Sequence, residues 1–383
     1  MRNRLTSLFI LIPLCSFYQI DVANGQGQFQ SFKPGKIWPD KKGVHINAHG
    51  GSILYHEDTY YWFGEHKTAG RGGNRANVGV QVYSSDDLFN WLNEGVALAV
   101  DDDPDSPIRA GCIIERPKVI YNEDNGQFVM WFHHELYGQG YDAALTGLAV
   151  SDNITGPYEY IRSLRPNAGI WPENFTEEQK NAVYDQERMR EDPRYRREAI
   201  RKGYYTVRDF EGGQMSRDMT LFVDDDGTAY HITAAEENYT MNIHELDEDF
   251  TGFTGRWVRV LPGGHNEAPA ILKRDGTYYL ILSGATGWDP NAARSAKADD
   301  MFGPWTALDN PARGTPEQVS VTFESQSTFI IDVEGKEDAW IYMGDRWRPQ
   351  NPIDGRYVWL PVTFENGYPV IYWYDKWDLS VFE

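Results

Sequence analysis

The sequence is poor in cysteine and in basic residues. Two cysteines, Cys15 and Cys112, occur in 383 residues, and 36 Lys and Arg stand against 57 Asp and Glu, for a formal charge of −21. A chain with so few cysteines has no disulfide framework, and Cys112, in the apolar run "GCIIE", is predicted to be a buried thiol rather than a nucleophile. The acidity argues against nucleic acid and anionic membrane as partners, because both bind through patches of Lys and Arg.

Long apolar runs are absent except at the N-terminus. Arg2 and Arg4 precede the stretch "LTSLFILIPLCSFY", Leu5–Tyr18, which is too short to span a bilayer as a mature helix. Small residues suited to cleavage follow, near Gly25. This pattern predicts a signal peptide over residues 1–25 and therefore a secreted or periplasmic protein, with no membrane span elsewhere.

A repeated unit occupies the rest of the chain. An apolar strand, an acidic or glycine-containing turn and an aromatic-rich strand recur in "GSILYHEDTYYWFGEHK", "RPKVIYNEDNGQFVMWFHHE", "MTLFVDDDGTAYHITAAEE", "APAILKRDGTYYLILSGATGW" and "STFIIDVEGKEDAWIYMGDRW". Another strand and a polar turn follow each copy. Five such units of about four short strands predict an all-β, five-bladed β-propeller over residues 26–383. A β-sandwich or a solenoid is the alternative.

A charged segment, residues 171–213, interrupts the repeat between the second and third blades. Asn174 and Glu177 have the spacing of a capping box, which predicts a helix from about Phe175 to Arg190. Pro193 is expected to break this helix, with a second short helix after it as one option. The segment is interpreted either as a solvated surface insertion or as part of the rim of a functional site.

The five copies place a polar residue in one slot, just before the innermost strand: His49, Glu115, Asp218, Glu267 and Gln326. In a propeller these side chains converge on the mouth of the central channel, whereas the plainer interpretation is a set of hydrated strand caps. Clustered carboxylates push their pKa values apart, so that one can stay protonated and act as a general acid. Hydrolysis of a glycosidic bond requires such an arrangement.

The motifs "NAHGGSILYHEDTYYWFGEHK", "IERPKVIYN", "SRDMTLFVDDDGTAY", "NEAPAIL", "SGATGWDPN" and "ESQSTFI" resemble those of glycoside hydrolase family 43, a five-bladed propeller family. The resemblance is greatest to the branch of exo-β-1,3-galactanases and related galactosidases and arabinofuranosidases. It implies inverting hydrolysis of β-1,3-linked galactose in plant-type galactan or arabinogalactan. An arabinofuranosidase, another β-galactosidase or galactofuranosidase, and a glycan-binding propeller without catalysis remain alternatives.

The resemblance also implies roles for individual residues. Glu267 matches the general acid, Asp218 the carboxylate that tunes its pKa, and Glu115 a carboxylate that contacts the sugar. Three further residues match positions that line the reactive subsite: Glu65, Tyr141 and Thr286.

The general base is the departure from the wider family, because the first-blade stretch "HINAHGG" contains no acid. Gln326 matches a glutamine to which the galactanase branch assigns the water-orienting role, and Glu65 and Glu324 are alternative bases. His49 is expected to hydrogen-bond substrate or backbone. No cofactor and no metal are predicted, because the histidines lack zinc spacing and "DDDPDSP" lacks the EF-hand pattern. A structural calcium ion near His49 is an alternative.

Overall fold

A computed structural model of the chain describes residues 29–383, so the predicted signal peptide lies outside the described residues. The described part forms five sheets in which strands that follow one another along the chain are antiparallel neighbours. The innermost strand of each sheet touches the innermost strands of the two neighbouring sheets, which closes a ring. The five-bladed β-propeller predicted from the repeat is therefore confirmed.

The blades share one topology, with the first strand innermost. The first three blades are β1 (His49–His56), β2 (Thr59–Lys67), β3 (Asn77–Ser85) and β4 (Leu92–Ala99); β5 (Ile113–Asn122), β6 (Gln127–Glu135), β7 (Leu145–Ser151) and β8 (Glu159–Leu164); and β9 (Met219–Val223), β10 (Ala229–Ala235), β11 (Thr240–Leu246) and β12 (Phe253–Val260).

The fourth blade is β13 (Asn266–Arg274), β14 (Thr277–Gly284), β15 (Arg294–Ala298) and β16 (Thr306–Leu308). The fifth has β18 (Gln326–Asp332), β19 (Trp340–Arg346), β20 (Arg356–Glu365) and β21 (Tyr368–Tyr372), with the short β17 (Ala312–Arg313) parallel to β21. Short 3-10 helices lie at Gly73–Arg75, Thr322–Glu324, Pro352–Asp354 and Leu379–Phe382.

Turn chemistry explains the hairpins that the repeat predicts. Asp275 and Gly276, between β13 and β14, have φ values of 50° and 78°, the left-handed conformation that a two-residue hairpin turn requires. Glu57 and Asp58 take the same conformation between β1 and β2. The strands that flank these turns carry buried apolar residues, so each hairpin is fixed in register by both its turn and its buried face.

The core lies between the blades rather than within them. Five clusters of buried side chains each join two neighbouring blades, so every blade packs against both of its neighbours. Most of the tryptophan of the chain serves this purpose, and Trp62, Trp91, Trp131, Trp257 and Trp359 are fully buried. Cys112 belongs to the cluster between the first two blades, where burial raises the pKa of its thiol to about 11, as expected for a structural cysteine.

The insertion is helical and lies between the second and third blades, but the prediction of one helix from Phe175 to Arg190 is wrong. The segment contains α1 (Glu177–Lys180), α2 (Gln186–Glu191), α3 (Pro193–Arg201) and α4 (Tyr204–Arg208). The capping box is formed by Thr176 and Gln179, because the side chain of Asn174 is occupied by the backbone of Arg259 on β12.

The predicted break at Pro193 is confirmed, because α2 ends at Glu191 and Asp192, directly before the proline, is extended. Pro193 then begins a further helix, α3, since a proline at the first helical position has no N–H to leave unpaired. A fifth helix, α5 (Pro316–Ser320), precedes β18. No helix within residues 29–383 has both the length and the hydrophobicity needed to cross a bilayer.

Candidate active site

A pocket of about 250 Å³, open to solvent and lined by many polar side chains, lies at one mouth of the central channel. Side chains from all five blades line it: Glu65, Asn74, Glu115, Arg116, His133, Tyr141, Arg217, Asp218, Asn238, Glu267, Trp288, Gln326 and Trp347. The slot residues of blades two to five, Glu115, Asp218, Glu267 and Gln326, therefore converge as the repeat predicts.

β-Bulges direct these side chains into the pocket. In the first, second and fourth blades the register of the innermost strand shifts directly after the slot residue, and in the fifth blade it shifts one residue later, after Ser327. Arg116 and Ala268, which follow Glu115 and Glu267, have positive φ values of 55° and 54°. A bulge of this kind bends the strand and turns a side chain out of the alternating pattern, so the slot residue faces the channel mouth while the strand beyond it continues into the core.

Arg116 joins three blades at the centre of the site. Its Nη2 donates to Asp218 Oδ2 at 2.9 Å and to Gln326 Oε1 at 2.6 Å, and its Nη1 donates to the carbonyl of Ser327 at 3.1 Å. The guanidinium is buried, and the carboxylates around it, beginning with Asp218, raise its pKa despite burial. A planar, permanently charged fork of donors suits this role, because it holds the amide of Gln326 and the carboxylate of Asp218 in fixed positions.

Glu115 is held as a carboxylate. His133 Nδ1 lies 2.9 Å from one of its oxygens, and the other accepts from Tyr141 Oη at 2.7 Å and from Asn74 Nδ2. Burial raises the pKa of Glu115, but the hydrogen bond and charge of His133 outweigh it and lower the pKa to about 2. His133 in turn lies between Glu115 and Glu135, and although burial lowers its pKa, these two partners raise it to about 9. The pair is thus ionic at neutral pH.

Glu267 has the opposite character. Burial and the charge of Asp218 raise its pKa to about 8, against the lowering effect of Arg116. Its Oε1 accepts a hydrogen bond from Asn238 Nδ2 at 2.6 Å, and Asp218 is tied to the neighbouring backbone through the N–H of Ala268 at 3.2 Å. At neutral pH Glu267 therefore carries a proton in a pocket open to substrate, which is the state that a general acid needs.

Gln326 is fully engaged at its oxygen. Oε1 accepts from Arg116 and from Trp347 Nε1 at 2.9 Å, and Nε2 donates to Ser283 Oγ at 2.9 Å. An amide oxygen has two lone pairs, and both are in use. The geometry allows Gln326 to position a molecule through its remaining N–H and offers no free oxygen to take a proton.

Of the three residues expected to line the reactive subsite, two line the pocket and one does not. Glu65 and Tyr141 line the pocket, and Glu65 accepts from the N–H of Arg116 and pairs with Lys67 at 3.0 Å. Thr286 is exposed on a loop, where its hydroxyl donates to the carbonyl of Asp289, while its neighbours Gly287 and Trp288 reach the pocket.

His49 and Glu324 lie outside this pocket. His49 is buried against Tyr357 and Trp347, its Nε2 is 2.8 Å from the carbonyl of Pro352, and burial lowers its pKa to about 3. The side chain of Glu324 is largely exposed, 3.7 Å from Arg346 in an adjacent groove. The prediction that His49 converges on the pocket with the other four slot residues is therefore wrong, because its ring is buried behind Trp347, where it makes the expected contact to backbone. Glu324 lies away from the carboxylates.

Sequence reasoning missed several lining residues, namely Asn74, Arg116, His133, Arg217, Asn238, Trp288 and Trp347. Arg116 follows Glu115 directly in "IERPKV", and a buried arginine beside a slot carboxylate is a signal that could have identified it. Trp347 ends the repeat motif "MGDRW". Asn74 lies in the 3-10 helix Gly73–Arg75 and Asn238 in the turn between β10 and β11. Neither sequence carries a comparable signal, because the positions of both side chains depend on contacts with other parts of the chain.

A metal ion does not fit the donor set. Oxygen and nitrogen atoms of Glu115, His133 and Asp218 come within 4.8 Å of one another. His133 Nδ1 is already directed at Glu115, and Asp218 accepts from the positive Arg116. A divalent cation would have to displace both contacts next to a fixed positive charge, so no catalytic step is assigned to one.

Comparison with known proteins gives concordant results. The model of glycosyl hydrolases family 43 matches residues 198–369. A solved family 43 β-1,3-galactosidase with galactodeoxynojirimycin is 50% identical, with a TM-score of 0.87 over 91% of this chain and 100% of that one. The exo-β-1,3-galactanase of Phanerochaete chrysosporium, solved with β-1,3-galactotriose, is 32% identical, with a TM-score of 0.72 over 92% of this chain and 68% of that one.

A curated relative agrees at the level of the family. The β-D-galactofuranosidase xynD of Aspergillus niger is 28% identical over 122 residues, which is 31% of this chain and 35% of that protein, so the match spans about a third of its length. A propeller with these carboxylates at its mouth, and with 50% identity over 91% of its length to a solved member that it covers in full, belongs to glycoside hydrolase family 43 and is a glycosidase.

Proposed function

We propose that the protein removes β-1,3-linked galactose from the ends of galactan or arabinogalactan chains by acid-assisted hydrolysis. The observation that carries the chemistry is the raised pKa of Glu267, about 8, in a pocket that also holds Glu115, Asp218 and a buried arginine. The galactose specificity is supported by the solved relatives, a β-1,3-galactosidase and an exo-β-1,3-galactanase.

The proposed reaction begins with protonated Glu267. As the bond between C1 and the leaving oxygen breaks, Glu267 transfers its proton to that oxygen, and positive charge develops on the sugar ring. The negative charge of Asp218 both keeps Glu267 protonated beforehand and stabilises this charge. Glu115, fixed by His133, is placed to accept hydrogen bonds from sugar hydroxyls, and Trp288 and Trp347 offer aromatic surface.

Inversion at the anomeric carbon is part of the proposal. A retaining enzyme needs a carboxylate that is free to attack the sugar. Glu115 is engaged by His133 and Tyr141, Glu65 by Lys67 and the backbone of Arg116, and Asp218 by Arg116 and Ala268. Water held near Gln326 is therefore the proposed nucleophile, and one of these carboxylates takes up its proton indirectly.

The test is product analysis. The purified enzyme is incubated with β-1,3-galactobiose, β-1,3-galactan, arabinogalactan, and nitrophenyl β-galactopyranoside, β-galactofuranoside and α-arabinofuranoside. Release of galactose from the first three, with α-galactose as the first anomer detected by NMR, supports the proposal. Turnover confined to a furanoside would replace the proposed substrate, and a β first product would show retention.

We also propose that the protein is exported. The support is the N-terminal pattern of Arg2 and Arg4 followed by a short apolar stretch. N-terminal sequencing of the protein recovered from culture medium or periplasm would identify a cleavage near residue 25. Recovery of uncleaved protein from the cytosol alone would contradict export.

A further inference from the structure

One hydrogen bond to the general acid comes from a turn with an unusual backbone. Three consecutive residues between β10 and β11, Glu236, Glu237 and Asn238, have φ values of 53°, 54° and 63°. Residues other than glycine adopt this left-handed conformation at a cost, so a run of three persists only where surrounding contacts enforce it. Asn238, at the end of the run, donates to Glu267 Oε1 at 2.6 Å.

The helical insertion supplies part of the contacts that enforce this turn. Glu236 is 1% exposed and accepts from Thr206 Oγ1 on α4 at 2.9 Å and from Arg259 at 2.5 and 2.9 Å. Arg259 also donates to the carbonyls of Ile200 and Arg201 in α3 at 3.2 and 3.4 Å. A buried carboxylate with this set of partners has one position only.

A second pair of contacts holds the middle of the turn. Glu237 lies 3.1 Å from Arg208 of α4 and 3.0 Å from Arg217, which itself donates to the carbonyl of Tyr141 at 2.9 Å. The insertion contributes no lining residue among the described ones, yet it contacts the two residues that precede Asn238. The insertion therefore acts on the site only by holding the turn that carries Asn238.

We propose that the insertion is a positioning element for the general acid: it fixes the turn 236–238, and through Asn238 it holds Oε1 of Glu267 as an acceptor so that Oε2 carries the transferable proton. An amide N–H can only donate, and in a neutral carboxyl the oxygen that accepts is the carbonyl oxygen. Asn238 is a positioning residue in this scheme. The inference rests on the proposed function in taking Glu267 as the acid.

The key experiment compares two substrates that differ in their need for protonation. β-1,3-Galactobiose has a poor leaving group that needs the acid, whereas nitrophenyl β-galactoside needs little protonation. Asn238→Gly keeps the left-handed backbone and removes the amide. We expect kcat/KM on the disaccharide to fall about tenfold to a hundredfold, as for other misplaced catalytic groups, with a much smaller fall on the aryl galactoside.

Asn238→Asp gives a second readout. It keeps the size and backbone preference of asparagine but replaces the N–H donor with a carboxylate. In the native protein the charges of Asp218 and Glu115 raise the pKa of Glu267, and those of Arg116 and Arg217 lower it. The new carboxylate adds to the first group. The basic limb of the pH profile should move to higher pH. An unmoved limb, together with equal losses on both substrates for Asn238→Gly, would mean that Asn238 has only a structural or sugar-binding role.

A double-mutant cycle separates action through Glu267 from any other action. In a Glu267→Gln background, Asn238→Gly should add no further loss on galactobiose, because the proton whose position it controls is gone. An additional loss as large as in the native background would overturn the proposal. Turnover of galactobiose by the unmodified enzyme decides the proposed function separately, before any variant is compared.

The insertion is tested at Thr206. Thr206→Val removes the hydroxyl that donates a hydrogen bond to Glu236, and it should lower turnover of the disaccharide selectively. Thr206→Ser keeps the hydroxyl and should retain native turnover. Glu177→Gln, which breaks the exposed pair with Lys180 in the same insertion, is the matched control and should change neither substrate. If Thr206→Val behaves like that control, with thermal melts showing folded protein, the part assigned to the insertion is wrong.

Discussion

The second and fourth blades each place a glutamate in the pocket, and the two glutamates have opposite protonation states at neutral pH. Glu115 and Glu267 occupy the same slot, each directly before a β-bulge in an innermost strand. Burial raises the pKa of both carboxyl groups. At Glu115 the imidazole of His133 outweighs burial and the pKa falls to about 2, whereas at Glu267 the charge of Asp218 adds to burial and the pKa rises to about 8. The position in the fold thus brings a carboxylate to the site, and its neighbour decides whether it is a fixed anion or an acid.

Nearby side chains offset the free-energy cost of burying each carboxyl group. A buried carboxylate is unfavourable unless it is paired and hydrogen-bonded, and Glu115 has His133, Tyr141 and Asn74 for that purpose. Glu267 avoids the same cost by staying protonated, and it needs only one donor, Asn238. The difference teaches that the two corners have different tasks: one binds hydroxyl groups and the other donates a proton.

The largest effect is expected from removing the acid. Glu267→Gln keeps the shape of the fourth-blade corner but has no proton to transfer. We expect turnover of β-1,3-galactobiose to fall by about two to four orders of magnitude, while nitrophenyl β-galactoside loses far less. Steady-state kinetics on both substrates check this, with circular dichroism as the control for folding. Equal losses of turnover on both substrates would show that Glu267 is not the general acid, and the contrast drawn between Glu115 and Glu267 would then be wrong.

The next effect concerns the neutral corner of the fifth blade. Gln326→Ala removes the amide that Arg116 and Trp347 hold, so that the attacking water is no longer positioned, and about a hundredfold loss of kcat is expected. Binding of galactose, measured by calorimetry, should change little. Gln326→Glu pairs a new carboxylate with Arg116 and adds an acidic limb to the pH profile. Near-normal activity of Gln326→Ala would transfer the water-orienting role to Glu65.

A smaller and more diagnostic change is expected from Asp218→Asn. Burial and the Asp218 charge raise the pKa of Glu267 to about 8, so activity on galactobiose in the native enzyme should be lost as pH rises through that value. Without the charge, the basic limb should move down by on the order of one pH unit. Measurement of kcat/KM against pH tests both statements, and an unchanged limb would mean that burial alone sets the acid's pKa.

The smallest effect is a titration in the native protein. His133 should stay protonated to about pH 9, whereas His49 should be neutral throughout the stable range because burial lowers its pKa to about 3. Since the pKa of His133 is raised above 6.5, its contribution to stability is complete below that pH and is lost as the pH rises through about 9. Imidazole nitrogen chemical shifts in NMR spectra report the protonation of both residues. Glu115→Gln should lower the pKa of His133, because it removes one of the two carboxylates that raise it.

Much of the fold could be predicted from the sequence because its information is local and repeated. Strand alternation, the Asp275-Gly276 turn and five similar copies specify blades, and five such blades close into a ring. The helical insertion could be located by its charge, but its division into α1 to α4 could not, because Asn174 bonds to β12 rather than capping a helix.

The slot residues Glu115, Asp218, Glu267 and Gln326 were determined by the sequence itself, since the same position in each copy must come to the same end of the channel. Tertiary structure alone decided what each of them does. Arg116 meets Asp218 and Gln326 across 102 and 210 positions of the chain, and Asn238 meets Glu267 across a turn that the insertion holds. Protonation depends on burial and on charges within a few ångströms, and no local pattern records which distant residues supply them.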